Sequence, residues 1–429
     1  MDAARTQAEA VAIRDGRILA VGSDSDINEH IGPRTEVIGL RDRMLLPGFI
    51  DCHSHAPKAG MDKLRVDMSE LTRVDEYLSA IGRFARERPD VEWILGGGWV
   101  PEAFPDAPAT AAILDTVVHD RPAAFSDADN HRAWANSRAL ELAGIDRSTT
   151  DPRTGRIDRT ADGSPSGTLH EGAVWLLRRA IPTPDAEEVG RAILLAQEEM
   201  HSLGFTGWQD AIVGDYQLMP NTVEVYPVLA SREELTARVT GNLWWSWYRG
   251  LEQVVELVEL RERSSIGRYR AATVKIMQDG TAENRTAGLL QPYLDDHGHP
   301  STDRGLSMVD PDELKSAVTA LDAAGFQVHL HTIGDRAVRE ALDAVQAARE
   351  ANGMRDTRHH LSHVQLVHPD DVPRFRRLRA SATIQTLWAC LDPLAERLTI
   401  PAIGMDRVAV QFPFQTLVRS GARIATGSD

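Results

Sequence analysis

The first forty residues alternate short apolar runs with turn residues, which is the pattern of a small antiparallel β unit. Apolar residues dominate 10–13 and 17–22, and Asp15-Gly16 separates the two runs. An Asp-Gly pair between two β-type runs favours the tight turn of a β-hairpin. The sequence therefore predicts a hairpin within a first segment that covers residues 1–44.

From Leu45 onward, apolar strand-like runs alternate with amphipathic helix-like segments, which favours parallel βαβ units. The helical segments include 311–324, which Asp310 precedes as an N-cap, and 335–349. The strand-like runs lie at about 46–53, 204–210, 239–247, 271–277, 326–331, 360–366, 381–387 and 421–427. Eight is the strand number of a (β/α)8 barrel. The predicted fold is therefore an α/β TIM barrel that spans residues 45–429.

The interval between the first two predicted barrel strands, about 57–203, is too long for a single crossover helix. It carries strand and helix patterns of its own, for example at 122–126 and 137–142. Gly and Pro residues cluster at 96–98 and 151–167, which indicates loops or a hairpin and not a linker between independent domains. We therefore predict an inserted α/β subdomain at about 57–203.

Composition and charge narrow the class of function. The 429 residues are 42% hydrophobic and carry a formal net charge of −16. Because an acidic chain is a poor match for a phosphate backbone, we expect no nucleic-acid partner. The sequence shows neither an apolar run of membrane-spanning length nor an N-terminal signal pattern, so we expect no membrane role. With Cys52 and Cys390 as its two cysteines, the chain is typical of a cytoplasmic enzyme. We expect a small-molecule substrate, and the sequence does not decide whether the protein is a homodimer.

Two histidines, His53 and His55, stand two residues apart where the first predicted barrel strand gives way to polar residues. Alternate side chains share one face of a strand, so both imidazoles would point to one place. Such a pair by itself is more often solvated or packed in a core than bound to a metal. A metal site is therefore predicted only if other strand ends supply further ligands.

Four further polar side chains stand at the ends of later predicted strands, namely Lys275, His331, His363 and Asp429. Lys275 is one of four lysines in the chain and lies in an otherwise apolar run. Burial lowers the pKa of an amine, and a neutral amine can react with carbon dioxide to give a carbamate that bridges two cations. In a barrel, the carboxyl ends of all strands meet at one mouth. The sequence therefore predicts a metal site assembled from distant segments.

Neighbouring histidines leave alternatives at two of these positions. His329 shares a strand face with His331 but lies two residues deeper, so the end position favours His331. The histidines that flank His363 cannot be excluded by spacing, and they are His359, His360 and His368.

The combined motifs resemble the metal-dependent amidohydrolase superfamily. The matching stretches are 46–55, the strand that contains Lys275, 331–337, 362–365 and 427–429. More narrowly, these stretches together with 121–137 and 274–280 resemble the YtcJ-like branch, which includes N-substituted formamide deformylases. The resemblance implies a (β/α)8 barrel, a small β-sandwich domain to which residues 1–44 would contribute, and a metal centre at the barrel mouth.

The resemblance also implies the ligands of that centre. His53 and His55 would bind one divalent metal, and His331 and His363 would bind a second. Carboxylated Lys275 would bridge the two positions, and Asp429 would contact metal and water. Zinc suits imidazole and oxygen ligands best, and whether one or both positions fill stays open.

The implied activity is hydrolysis of a non-peptide C–N bond, in an amide or a formamide, by a metal-activated hydroxide. Asp429 would accept a proton from water and deliver it to the leaving nitrogen. One alternative is a deaminase or cyclic-amide hydrolase that uses the same centre. Another is a truncated binding protein without catalysis.

Three more residues are candidate substrate contacts. His131 lies in the predicted insertion, Trp99 follows a run of three glycines, and Asp279 follows the strand of Lys275. Each of the three has an alternative role in packing or structure.

Both ends of the chain differ from the family pattern. Family members continue beyond the position of Asp429 and begin with an extra strand before Ala8. The resemblance therefore predicts a shortened chain that is less stable and less active than a complete relative.

Overall fold

A computed structural model describes residues 7–104, 108–393 and 395–429. The chain divides into two compact units, Met1–Phe49 and Ile50–Asp429. In chain order, the strands of the described residues are β1 Ala10–Arg14, β2 Arg17–Gly22, β3 Phe49–Ser54, β4 Val66–Asp67, β5 Ile94–Trp99, β6 Ala123–Asp127, β7 Arg132–Ala135, β8 Gly155–Arg159, β9 Pro165–Glu171, β10 Phe205–Val213, β11 Arg238–Trp244, β12 Tyr269–Met277, β13 Gln327–Thr332, β14 His360–His363, β15 Ser381–Ile384 and β16 Arg423–Thr426. The α-helices are Asp24–Asn28, Ala56–Leu64, Val74–Glu87, Ala111–Asp115, Ser137–Leu142, Val174–Arg178, Ala186–Ser202, Val225–Ser231, Gln253–Ser264, Pro311–Ala323, Asp335–Asn352, Val372–Leu378, Ile400–Ile403, Met405–Val408 and Phe414–Arg419.

The first unit contains the predicted hairpin. Strands β1 and β2 pair antiparallel, with Arg14 opposite Arg17 across the turn. Both turn residues have positive φ, 51° at Asp15 and 70° at Gly16, as a tight hairpin turn requires. The hairpin is confirmed, and the assignment of residues 1–44 to a β-sandwich stays a prediction.

The second unit is built on an eight-stranded sheet in the order β16-β15-β14-β13-β12-β11-β10-β3. The described pairings from β10 to β16 are all parallel. At the open seam, the Asp429 amide donates to the His53 carbonyl at 2.9 Å, and the Ser428 amide donates to the Asp51 carboxylate at 3.1 Å. The first and last strands therefore meet, and the sheet is a nearly closed, TIM-barrel-like α/β fold, as predicted.

All eight predicted barrel strands are present, with shifted ends. Several ends differ by three residues, and one of them is that of β14, which ends at His363 and not at 366. His363 and Val364 have φ of 71° and 43°, so the backbone leaves the extended region at this point. The chain therefore leaves the strand at His363, which is one of the predicted ligands.

Helices cover the outside of the barrel. Pro311–Ala323 begins as predicted, because the Asp310 carboxylate accepts from the amides of Asp312 and Glu313. Asp335–Asn352 packs beside it and buries an alanine- and valine-rich face. The apolar side chains of these helices join those of the strands in one large buried cluster. The barrel core is thus the packed layer between strands and helices.

A six-stranded sheet, in the order β4-β5-β6-β7-β9-β8, occupies the chain between β3 and β10. Its first three strands run parallel, and the remaining pairs are antiparallel. The predicted elements at 122–126 and 137–142 are found as β6 and as the helix Ser137–Leu142. This sheet belongs to the same compact unit as the barrel, and the boundaries of a separate subdomain at 57–203 stay a prediction.

The helix Ala56–Leu64 brings the end of β3 against the helix Ala186–Ser202. A Cβ at Gly60 would lie 1.9 Å from the Ala192 carbonyl oxygen, so only glycine permits this approach. None of the helices in the described part of the chain has the length and apolar character of a membrane span.

Candidate metal centre

The end of β3 and the end of the chain form a three-residue cluster. The Asp429 carboxylate oxygen Oδ1 lies 3.2 Å from His53 Nε2 and 3.1 Å from His55 Nε2. One ligand atom from each of the three residues can be chosen so that all lie within 4.8 Å of one another. His53 is 1% exposed, so its ring is enclosed within the barrel mouth. These three side chains have the spacing of metal ligands.

Two further histidines continue this cluster around the mouth. The ring centroid of His363 lies 4.8 Å from that of His53 and 4.6 Å from that of His331. Asp429 Oδ2 is 3.6 Å from His363 Nδ1. The rings come from β3, β13 and β14, which end at the same face of the barrel.

Lys275 completes the set from β12. It is 1% exposed, and its strand pairs with β11 on one side and β13 on the other. Burial lowers the pKa of Lys275 to about 8, because desolvation disfavours the ammonium. An open cavity is lined in part by His53, His55, Lys275, His331, His363 and Asp429. The structure therefore brings all six sequence-predicted ligands to one cavity.

Neighbouring groups hold three of the rings in one orientation. Nδ1 of His53 lies 2.9 Å from His329 Nε2, and Nδ1 of His363 lies 2.9 Å from Gln385 Oε1. Nδ1 of His331 lies 3.1 Å from an Asp279 carboxylate oxygen. With Nδ1 engaged in each ring, Nε2 is left as the ligand atom.

The chemistry of these donors fits a divalent cation. The buried Nε2 of His53 makes no well-formed hydrogen bond among the described residues, although Asp429 Oδ1 lies 3.2 Å away. Desolvation lowers the pKa of His53 to about 4 and holds those of His331 and His363 well below the ordinary value, so the rings are neutral as ligands must be. Neutral imidazoles together with carboxylate oxygens form a donor set that zinc and related ions accept.

Asp279 is one of the three predicted substrate contacts. It is fully buried, and its carboxylate accepts from the amides of Gly288, Ile333 and Gly334 as well as from His331. These four donors, three backbone amides and the His331 ring, occupy both oxygens of the carboxylate. Asp279 thus contacts the ring of a proposed ligand, and its contact with substrate stays a prediction.

Trp99 differs from the expectation. Its ring is 2% exposed and packs edge-on against Phe104 and Trp134, and its indole N–H donates to the Phe125 carbonyl at 3.0 Å. Trp99 is not one of the described residues that line the cavity of the candidate ligands. Trp99 is therefore a core residue of the six-stranded sheet, where the sequence suggested a substrate contact.

His131, the third candidate, does line the cavity. Its ring centroid lies 5.5 Å from that of His331, and its Nδ1 is 2.9 Å from a carboxylate oxygen of Glu171. Although burial alone would lower the pKa of His131, the Glu171 carboxylate raises it to about 9. The structure thus places His131 beside the candidate ligands, with a charged partner.

The remaining histidines near His363 have other neighbours. His359 bonds to Asp322 at 2.9 Å, and His360 bonds to Gln327 at 3.1 Å inside the barrel. His368 lies outside the cavity and accepts from the Asp370 amide. Spacing could not separate them from His363, because all lie within a few residues of the short strand β14.

Sequence reasoning missed four residues that support the site, namely Glu171, His329, Gln385 and Trp388. The ring of Trp388 stacks on that of His363 at 4.9 Å, with 3° between their planes. The period-2 spacing of His329 and His331 indicated a shared face and could have identified His329 as a supporting group. Glu171, Gln385 and Trp388 approach through tertiary contacts that no local pattern marks.

Comparison with known proteins decides the family. The sequence profile of the amidohydrolase family matches residues 36–429 of this chain. The chain belongs to the amidohydrolase family. Among amidohydrolase relatives, the Bacillus subtilis protein YtcJ is 31% identical over 424 residues, which cover 98% of this chain and 77% of YtcJ. This similarity agrees with the YtcJ-like branch.

Two other relatives extend the comparison. An N-substituted formamide deformylase of Arthrobacter pascens is 28% identical over 81% of this chain and 64% of its own length. The crystal structure of an uncharacterized metal-dependent hydrolase from Pyrococcus horikoshii superposes with a TM-score of 0.71 at 23% identity, over 98% of this chain and 78% of that one. This structural likeness supports the barrel fold of the amidohydrolase described above.

Proposed function

We propose that this chain is a metal-dependent hydrolase that cleaves a non-peptide C–N bond in a small-molecule amide or formamide. The observation that carries the proposal is the convergence of six predicted ligands on one cavity from five separate barrel strand ends. Such convergence at the carboxyl end of a barrel is where enzymes of this fold hold their active sites.

The residues divide into two ligand groups. His53 and His55 would hold one divalent metal, and His331 and His363 would hold the other, with zinc the best match to imidazole and oxygen donors. Lys275 would bridge the two as its carbamate, since burial favours the neutral amine that reacts with carbon dioxide. When bound, such a centre polarises a carbonyl group and lowers the pKa of water toward about 7.

Asp429 is the proposed proton carrier. Although desolvation opposes ionisation, the adjacent histidines hold its pKa well below the ordinary value, so the side chain is a carboxylate at neutral pH. It accepts a proton from the attacking water as the C–O bond forms, and it returns that proton to the nitrogen as the C–N bond breaks. One water is consumed, and a carboxylate, an amine and one proton are released.

The choice of formamides as substrate class follows from the similarity to the N-substituted formamide deformylase. The deformylase is 28% identical over 81% of this chain, so N-formyl and N-acyl amines are the first compounds to assay. A suitable probe is N-(4-nitrophenyl)formamide, because hydrolysis releases a coloured nitroaniline.

The test compares the zinc-loaded protein with single substitutions. His331→Ala and His363→Ala should abolish release of nitroaniline, because each removes a proposed ligand. His368→Ala is the matched control, since His368 lies outside the cavity and should leave turnover unchanged. Equal turnover in all three variants, or turnover by the chelated protein, would contradict the proposal.

A further inference from the structure

A second open cavity lies beside the candidate metal centre. Its wall is formed by the helix Ala56–Leu64, by strands β5 and β6 of the six-stranded sheet, and by the loop that follows β10. None of the six proposed metal ligands lines this second cavity. Met219 lines both cavities and is the one described residue that does so. The two cavities are therefore neighbours that share Met219 as part of their walls.

Most of the second cavity has an apolar wall. The side chains come from separate elements, and they are Met61, Leu95, Ala124, Ile181, Leu218 and Met219. Three prolines add ring carbons to the wall and leave the backbone without an N–H at those positions. Water makes few hydrogen bonds at such a wall, so we expect the body of a bound molecule to be apolar.

The polar part of the lining is mainly cationic. Lys58, Arg65 and Arg178 line the second cavity, and Asp62 is the one carboxylate among the described lining residues. Lys58 forms an ion pair with Asp62, which lies one helical turn later. Arg65 donates to Glu188 at 3.0 Å, and Glu188 is not part of the lining. The cavity therefore offers an incoming molecule more positive than negative charge, which favours an anion.

The guanidinium of Arg178 has neutral acceptors for its hydrogen bonds. Its Nη1 donates to the Ile181 carbonyl at 3.1 Å, and its Nη2 donates to the Thr183 hydroxyl at 3.3 Å. The Asp215 carboxylate lies 3.7 Å from Nη2, beyond hydrogen-bond distance, and is 57% exposed, whereas the Arg178 side chain is 13% exposed. A guanidinium has five N–H donors and binds a carboxylate through two of them, so Arg178 can receive a carboxylate from the cavity.

One buried hydroxyl beside this cavity lacks a partner. Ser126 is 3% exposed, and its Oγ makes no hydrogen bond among the described residues. It lies two residues after Ala124 on β6, and alternate residues of a strand share one face, which here borders the cavity. A Cβ at Gly97 would clash with Ser126 Oγ and would lie 2.6 Å from Lys58 Nζ, so glycine keeps these two groups beside the same space. A buried hydroxyl without a partner costs free energy, which an acceptor on a ligand would recover.

We propose that the second cavity binds a small organic carboxylate, whose charge is balanced by Arg178 and whose apolar body packs against Met219, with the Ser126 hydroxyl as a further donor. The inference does not depend on the proposed hydrolysis, because the ligand is bound without reaction and no proposed metal ligand lines the site. An occupant of this site would contact Met219, which also borders the metal centre.

Calorimetric titration of the zinc-loaded protein with sodium hexanoate measures this binding directly. Hexanamide has the same apolar body without the charge, and inorganic phosphate has charge without an apolar body. We expect each of these two to bind at least about tenfold more weakly than hexanoate, because a hydrogen bond between charged groups and the burial of a short alkyl chain are each worth at least that factor. Equal binding of either compound would overturn the inference.

Single substitutions test the contacts. Arg178→Gln should weaken hexanoate binding by about tenfold or more. Arg179→Gln is the matched control, because Arg179 is the next residue, is exposed and is not part of the lining. Ser126→Ala should weaken binding about threefold. It should not lower the melting temperature, because the hydroxyl has no hydrogen bond to lose in the free protein. Unchanged binding in Ser126→Ala would remove this residue from the site.

The remaining outcomes separate this site from the metal centre. A carboxylate can also bind zinc, so the titration includes His331→Ala, which removes a proposed metal ligand and no residue of the second cavity. We expect hexanoate binding to be kept in this variant, and its loss would place hexanoate at the metal centre and overturn the inference. No binding by the wild type, or an equal loss in Arg178→Gln and Arg179→Gln, would overturn it as well. Binding that depends on Arg178 supports the site even where no formamide is hydrolysed, so the two proposals fail separately.

Discussion

Replacing Asp279 by asparagine should weaken metal binding while leaving the fold largely intact. One oxygen of Asp279 accepts from His331 Nδ1 at 3.1 Å, and the other accepts from the amides of Gly288 and Gly334 at 2.9 and 2.8 Å. In the variant, the remaining oxygen can serve the two glycine amides, so the new amide N–H faces His331. Nδ1 of His331 must then accept, and its proton moves to Nε2, the proposed ligand atom.

The expected size of the effect follows from these contacts. Loss of a group that orients a metal-bound histidine lowers metal affinity by about 10–100-fold, which corresponds to about 1.4–2.7 kcal/mol. The Ile333 amide lies 3.0 and 3.2 Å from the two oxygens, so it can share the remaining one, and unfolding stability should fall by only about 1 kcal/mol. Asp279→Ala would instead leave three buried amides without an acceptor, which costs about 3–9 kcal/mol at about 1–3 each.

The assay is zinc affinity by competition with a chromogenic chelator, alongside urea unfolding of the same samples. Asp322→Asn is the control, because Asp322 also bonds a buried histidine, His359 at 2.9 Å, but at the opposite end of the strands. It should reduce stability without reducing zinc affinity. Zinc affinity that is unchanged in Asp279→Asn, or reduced equally in both variants, would refute the reasoning.

Three further predictions test other parts of the structure. Burial raises the pKa of Asp210 to about 7, so the folded protein keeps a proton that the unfolded chain releases, and stability should fall as pH rises from about 4 to 7. Asp210→Asn should remove that fall in urea unfolding, and a difference from wild type that does not vary with pH would contradict it. His329→Phe should weaken zinc binding by up to about 10–100-fold, because it removes the nearer of two partners of His53 Nδ1, the other being the Ser362 hydroxyl at 3.3 Å; equal affinity would exclude this role. Gly280→Ala should lower the melting temperature, because its Cβ would lie 2.1 Å from Thr286 Oγ1 and 2.5 Å from Glu171 Oε1, and a wild-type melting temperature would show that the loop adapts freely.

The barrel could be predicted because its signal is repeated and local. Each strand is a short apolar run followed by helical periodicity, and burial preserves that pattern most clearly in β14 and β15, whereas β16 is partly exposed. The strand ends could be predicted less well. The positive φ values of His363 and Val364 end β14, and a sequence pattern does not reveal such a backbone in residues other than glycine. The six-stranded sheet was recognisable only as an interval, because its strand order depends on pairings between distant residues.

The candidate ligands could be predicted because convergence at a barrel mouth does not depend on side-chain detail. The supporting groups could not. Asp279 was expected to face substrate, yet its position after β12 lets it accept from the loop that follows His331. Trp99 was expected near the pocket, yet the packing of Phe104 and Trp134 encloses it. Glu171 could not be identified from the sequence, because its contact with the His131 ring joins segments that are 40 residues apart.

Metal content, measured by elemental mass spectrometry on protein purified without chelator, tests the central claim most directly. We predict about two divalent ions per chain in the wild type and a clear loss in Lys275→Met. Lys58→Met is the matched control, since Lys58 is also buried but pairs with Asp62 outside this cavity. Equal metal content in both variants, or a wild type that binds no metal when zinc is supplied, would contradict the account.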